Sequence, residues 1–153
     1  MSEYIKVVKG DLLQATEDII CHQVNCHGKM GKGLAEGIKH AFPEAFERYR
    51  ALCLQENKGR HLLGTCQIIK SKDKYIANIF GQHNYGKKGV FTEMDALQQA
   101  FYSLKMRAQK HNLSVAIPFK FGCGLAGGDW NEVFKLIEET FRDYPVTIYI
   151  KED

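Results

Sequence analysis

The sequence predicts an α/β fold, a three-layer α/β/α sandwich with a mixed sheet of about six strands. Three observations lead there. Apolar runs of strand length alternate with stretches of helical spacing along the chain. Residues 114–118, SVAIP, form a short apolar strand of the kind buried on both faces of a sheet. Twice, a strand passes through a glycine-rich loop straight into a helix, the βα arrangement of open α/β sheets.

The elements follow in order. Tyr4 to Val8 is a strand that ends at Lys9-Gly10-Asp11. Asp18 to Asn25 is a second strand, and it opens into the first glycine loop. From Leu34 the spacing turns helical, with Leu34, Ala35, Ile38, Ala41 and Phe42 on one face. Pro43 ends that helix and suits the first turn of another, which aligns Phe46, Tyr49 and Cys53. Residues 65–70 and 74–80 read as strands paired through Ser71-Lys72-Asp73. A polar loop, GQHNYGKKG, follows at 81–89. Thr92 with Asp95 resembles a capping box, and behind it Met94, Leu97, Phe101, Leu104 and Ala108 form a core stripe. After the strand at 114–118 comes the second glycine loop, FKFGCGLAGG. Asp129 and Glu132 suit the start of the next helix, with Trp130, Val133, Phe134, Ile137 and Phe141 inward, and Val146 to Ile150 closes the chain as a strand.

The 153 residues suit a single domain. No apolar run approaches the ~18 residues a membrane span needs, and the start has no signal-peptide layout, so a cytoplasmic location is expected. Five cysteines without CxxC spacing argue against a disulfide framework or a zinc ribbon. Cys21, His22, Cys26 and His27 are metal-ligand types but do not converge on a strand, so neither a metal nor a cofactor is expected. The net charge of +3 gives no strong general nucleic-acid signal; it suits a small anionic ligand.

The two glycine loops carry the chemistry. A helix N-terminus offers unsatisfied N–H groups and a partial positive charge, and glycine lets a ligand approach without a Cβ in the way. Such loops bind anions, phosphate most naturally. Two of them in one small domain suggest a diphosphate clasped between them, or two ends of one ligand. Neither has nucleotide-motif spacing: the first lacks the GK[ST] ending of a P-loop and the GxGxxG order of a dinucleotide fold. The plainer alternative is that the glycines serve only turns and close packing.

Gly10-Asp11-Leu12, then Val24 through Ala35, Phe42-Pro43, Ile117-Pro118, Gly122-Cys123-Gly124-Leu125 and Asp129-Trp130 together resemble a macrodomain, over about residues 5 to 150. The resemblance is to the small branches that include ADP-ribosyl glycohydrolases and ADP-ribose-1″-phosphate phosphatases. It implies binding of ADP-ribose or an ADP-ribosylated macromolecule, with hydrolysis at C1″ of the distal ribose. It also implies roles. Asp11 would accept from the adenine amino group, with the Leu12 backbone beside it. Asn25 would bind the distal ribose. Gly31, Gly33 and Leu34 would line the first phosphate loop, and Gly122, Cys123, Gly124, Leu125 and Ala126 the second.

The chain departs from these relatives where the chemistry sits. The glycohydrolases carry a lysine after the strand matching 74–80, where this chain has Gly81-Gln82-His83-Asn84-Tyr85, and the terminal ones carry an aspartate where it has Ala126. What remains for acid–base work is His22, which matches a histidine of the phosphatase branch, and His27 in the loop. His22 shares a strand face with Val24, opposite Asn25, and a satisfied core histidine is the competing reading. His83, Asn84 and Tyr85 are candidates to close over the distal ribose, and Lys120 to neutralise phosphate. Cys123 reads as a packing residue rather than a nucleophile, and Phe141 or Tyr149 as an adenine stack or as core. A non-catalytic ADP-ribose reader is the alternative function. An unrelated nucleotide or sugar-phosphate enzyme is the third.

Overall fold

The computed structural model describes residues 3–151. Six strands form one sheet: β1 (Ile5–Lys9), β2 (Ile19–Val24), β3 (Cys66–Ser71), β4 (Lys74–Phe80), β5 (Val115–Pro118) and β6 (Val146–Ile150). Their order is β1-β6-β5-β2-β4-β3. Every pairing is parallel except β3 with β4, a hairpin whose turn places Lys72 at φ 57°. The carboxyl ends of β1, β2, β4, β5 and β6 therefore share one edge. Everything that follows those strands gathers there.

Four helices cover the sheet: α1 (Gly33–Ala41), α2 (Pro43–Gln55), α3 (Met94–Lys110) and α4 (Trp130–Thr140). β2 is buried on both faces and its alternation divides the core. Ile19 and Cys21 pack with Leu97, Phe101 and Leu104 of α3 and Val133 and Ile137 of α4. Ile20 meets Ile38 of α1 and Ala45 of α2, and Val24 meets Tyr49 and Cys53 of α2. The three-layer α/β/α sandwich is thus observed. Pro43 sits in the first turn of α2, where its missing N–H removes nothing the helix would use.

Two local readings change. Thr92 does not cap α3: the N-cap is Glu93, without a side-chain bond, and the Thr92 hydroxyl turns to the second glycine loop instead. Phe141 ends α4 fully buried in the core under α3 and α4.

One pairing is incomplete. β2 is in register with β4 along six residues, from Ile19 with Tyr75 to Val24 with Phe80. With β5 it pairs only at Ile19 with Val115 and Ile20 with Ala116. Beyond Ile20 the ladder stops, and the gap in it faces the carboxyl edge. The chain connections also change direction there, the switch point at which open α/β sheets place ligands.

Candidate functional site: two glycine loops at the switch point

The first loop leaves β2 at Asn25 and enters α1 at Gly33. Asn25 is 7% exposed, and its side chain holds the turn together. Its Oδ1 accepts from the amides of His27 (2.9 Å) and Lys29 (3.4 Å), and its Nδ2 donates to the Lys29 carbonyl (3.0 Å). The buried Tyr49 hydroxyl shares its hydrogen between the Asn25 carbonyl (2.7 Å) and Oδ1 (2.8 Å). One amide hydrogen of Asn25 is left for a ligand. Past this knot, the N–H groups of Gly31, Lys32, Gly33 and Leu34 make no hydrogen bond within the described residues.

The second loop leaves β5 and reaches α4, whose N-cap Asp129 accepts from the Asn131 amide. Lys120 is left-handed (φ 59°) and its carbonyl accepts from the Cys123 amide, a tight turn. Gly122 takes two bonds on its carbonyl, from the Thr92 hydroxyl (2.7 Å) and the Gly128 amide (2.9 Å). The amides of Gly124, Leu125 and Ala126 have no partner among the described residues. Burial, with Asp129 nearby, raises the Cys123 thiol, whose Sγ donates to the Phe121 carbonyl, and a raised thiol is a weaker nucleophile at neutral pH.

The glycines divide into two kinds. At Gly127 (φ +73°) a Cβ would lie 2.5 Å from the Gly89 carbonyl oxygen; this glycine is there for packing. Gly31 and Gly124 differ. Neither has a positive φ, and a Cβ on either would meet nothing within 4 Å. Neither a left-handed backbone nor close packing asks for glycine at these two positions, and a side chain there would stand in the open space over the loops.

A third segment, 82–92, follows β4 and ties the loops together. Its ends are joined by a bridge between Gln82 and Thr92. Toward the first loop, the His83 carbonyl accepts from the Cys26 amide (3.1 Å) and Asn84 Oδ1 from His27 Nε2 (2.9 Å). Toward the second, the amides of Phe91 and Thr92 donate to the Ala126 carbonyl. Beneath all three, Gln23 donates to Gln82 Oε1 (2.7 Å) and Thr92 Oγ1 (2.9 Å). Its amide occupies room that a Cβ at Gly81 or Gly122 would take.

The remaining candidates fall into place around this frame. His27 lies where the first loop meets this third segment, the strap 82–92, against His83 (4.8 Å between centroids) and the edge of Tyr85 (5.9 Å). His22 is 1% exposed on the α2 side of the sheet. There Asn78 donates to the Gln67 side chain and the Ala45 carbonyl, which leaves its Oδ1 to accept from His22 Nε2 (2.5 Å). Nδ1 is buried without a partner. Burial lowers the His22 pKa to about 4, so it is a neutral core imidazole at pH 7. Asp11 follows β1 and spends Oδ1 on the Leu13 amide (2.9 Å), with buried Leu12 beside it. Tyr149 is part-buried and donates to Glu17 (2.6 Å). Leu34 and Leu125 are exposed on the two loops, and Ala126 is buried. Sequence reading missed Gln23, Tyr49 and Thr92 as parts of this site. Tyr49 looked like helix core and Thr92 like a cap, and Gln23 carried only its place on β2.

Fold and site define an α/β sandwich with two amide-rich glycine loops at its switch point. The chain belongs to the macro domain family, whose model, described as "Macro domain", matches residues 21–137. A DNA ADP-ribosyl glycohydrolase of Mycobacterium tuberculosis is 28% identical over 140 residues, covering 89% of this chain and 38% of the relative. The chain thus spans well under half of that protein. An ADP-ribose 1″-phosphate phosphatase of Aspergillus oryzae is 27% identical, covering 97% of this chain and 95% of the relative. The solved macrodomain of Mycobacterium tuberculosis DarG superimposes with a TM-score of 0.82 at 25% identity, covering 95% and 97% of the two chains.

Proposed function

We propose that the crevice between β2 and β5 binds ADP-ribose, and that the bound molecule is hydrolysed at C1″ of its distal ribose. The observation that carries this reading is the open space over Gly31 and Gly124, beside amides that have no partner among the described residues. A diphosphate between adjacent strands' loops takes hydrogen bonds from both and meets the N-terminal end of α1.

The order of strands supports the rest of the pose. From β1 to β2 there are three strand spacings of ~4.8 Å, roughly 14 Å. That span lets adenine lie by Asp11 and Leu12, the diphosphate over β5 and β2, and the distal ribose by Asn25 and the strap. Phosphate contacts fall to Gly31, Gly33 and Leu34 on one side and to Gly122 through Ala126 on the other.

For chemistry the reading assigns a role to His27 and none to His22. With Asn84 accepting at Nε2, the other ring nitrogen of His27 is free to take a proton from water near the ribose. The substrate is an ADP-ribosylated macromolecule or ADP-ribose-1″-phosphate, in line with the two relatives named above. A reader module without turnover is the second reading. Ala126 and the segment Gly81 to Tyr85 favour it, since neither offers the acid or lysine that the resemblance leads one to expect.

Calorimetry with ADP-ribose tests the binding step, and absence of heat would sink it. Incubation with ADP-ribosylated DNA, ADP-ribosylated protein and ADP-ribose-1″-phosphate then separates hydrolase from reader. His27→Ala is expected to lower turnover by about 100-fold, the scale of one general base, with binding kept within a few fold. Full turnover in that variant would remove His27 from the mechanism.

A further inference from the structure

Two histidines meet where the strap crosses the first loop. The rings of His27 and His83 lie 4.8 Å apart between centroids, with their planes at 60°. Both residues are half-buried. Each ring is held by the same nitrogen. His27 Nε2 donates to Asn84 Oδ1 (2.9 Å), and His83 Nε2 donates to the Lys58 carbonyl (2.9 Å). Those oxygens can only accept, so both rings carry a hydrogen on Nε2. Each neutral imidazole then keeps its lone pair on Nδ1, and neither Nδ1 has a hydrogen-bond partner among the described residues.

The supports are fixed before anything binds. The Cys26 amide donates to the His83 carbonyl (3.1 Å), which ties the two backbones together beside the rings. Lys58 is left-handed (φ 54°) at the end of α2, and its amide donates back to the Cys53 carbonyl (2.7 Å). An imidazole that gives its far N–H to a fixed oxygen is the form metal-bound histidines take, with tautomer and ring direction set in advance. The spacing agrees. Two imidazoles on one ion, with bonds of about 2.0–2.1 Å at angles from square to tetrahedral, place their ring centres roughly 4.5–5.2 Å apart.

The other donors nearby decide what kind of site this is. Cys26 precedes His27 but is fully buried; its Sγ donates to the Gln82 carbonyl (3.6 Å), and burial pushes its thiol up to about 12. It stays a thiol and supplies no ligand. No third His, Cys, Asp or Glu gathers with the pair among the described residues. Water fills the other positions on an ion held by two imidazoles, so occupancy is reversible, unlike a closed four-ligand structural site. Imidazole selects borderline ions such as zinc over magnesium or calcium, which prefer oxygen.

We propose that His27 and His83 bind one zinc ion, or a borderline divalent ion like it, through their Nδ1 atoms, and that the ion inhibits hydrolysis. The inhibition rests on the crevice reading, in which His27 Nδ1 takes a proton from water. That nitrogen cannot hold an ion and a proton at once.

The test is calorimetric titration of the metal-free chain with zinc alone. One ion per chain is expected, removed by a chelator, with no heat from magnesium at the same concentration. His83→Phe keeps a ring against His27 and removes its nitrogens. Zinc affinity should then fall at least about tenfold, the least that losing even a supporting contact costs at a metal site. Asn84→Ala leaves both rings and should cost about tenfold through the tautomer of His27. Nitrogen NMR of the wild type reads the site without any variant: the Nδ1 signals of His27 and His83 should both move with zinc, and the other four of the six histidines should not. No zinc heat, wild-type affinity in His83→Phe, magnesium bound as tightly as zinc, or movement of only one of the two rings would overturn the site. Saturating zinc should lower wild-type hydrolysis about 100-fold, the scale of one general base, and a chelator should restore it. Unchanged or faster turnover with zinc bound would overturn the inhibition. Absence of heat with ADP-ribose would sink the crevice reading and the inhibition with it, while the zinc titration would still decide the ion site.

Discussion

At the scale of single residues, His22 and Asn25 show how a side chain's type and its work can part. Both were legible as candidates from the sequence. What was not legible was the partner across the sheet. Asn78 on β4 and Gln67 on β3 complete the environment of His22, and Tyr49 on α2 completes that of Asn25. These contacts come from more than twenty residues away in sequence, so no local pattern announces them. The buried imidazole has a consequence for stability. Its folded pKa of about 4 lies below the ordinary 6.5, so between those values the unfolded chain binds the extra proton and the folded chain does not. The stability His22 gives by staying neutral is present above pH 6.5 and is lost as pH falls toward 4. The loss is on the order of 3 kcal/mol. Urea titrations between pH 7 and pH 4 should show this slope in the wild type and a flatter one in His22→Gln, whatever the variant's absolute stability.

At the scale of elements, the strand and helix order could be read directly, because apolar periodicity and Pro43 mark it. The glycine loops were legible for the same reason that they are useful: glycine clusters between a strand and a helix stand out. The strap was legible only as a polar connector. Its tie to both loops depends on the parallel arrangement of β2, β4 and β5, which sets three loops side by side though their sequence positions are far apart. Thr92 is the test of that tie, since its hydroxyl both accepts from Gln23 and donates to Gly122. Thr92→Val should cost about 1–3 kcal/mol in urea unfolding by stranding both partners. It should also weaken ADP-ribose, while Thr92→Ser keeps most of both. A valine variant with full affinity and stability would show that the second loop holds its shape without the strap.

At the scale of the whole molecule, ligand and fold should be linked. ADP-ribose at 100 times its Kd should add about 2.7 kcal/mol to the folded state. For a chain of this size that corresponds to a rise in Tm of roughly 5–10 °C, readable by scanning calorimetry. AMP at the same concentration reaches only the adenosine end and the phosphate site over β5, so its shift should be smaller; equal shifts would deny the first loop a part. The incomplete ladder between β2 and β5 gives this linkage its mechanical sense. In the plane of the sheet the protein is two slabs, β3-β4-β2 and β5-β6-β1, welded at one corner by two rungs. A molecule laid across the gap with a phosphate on each side acts as a stitch at the opposite corner. Such an occupant would add a tie across the sheet where its own ladder supplies none.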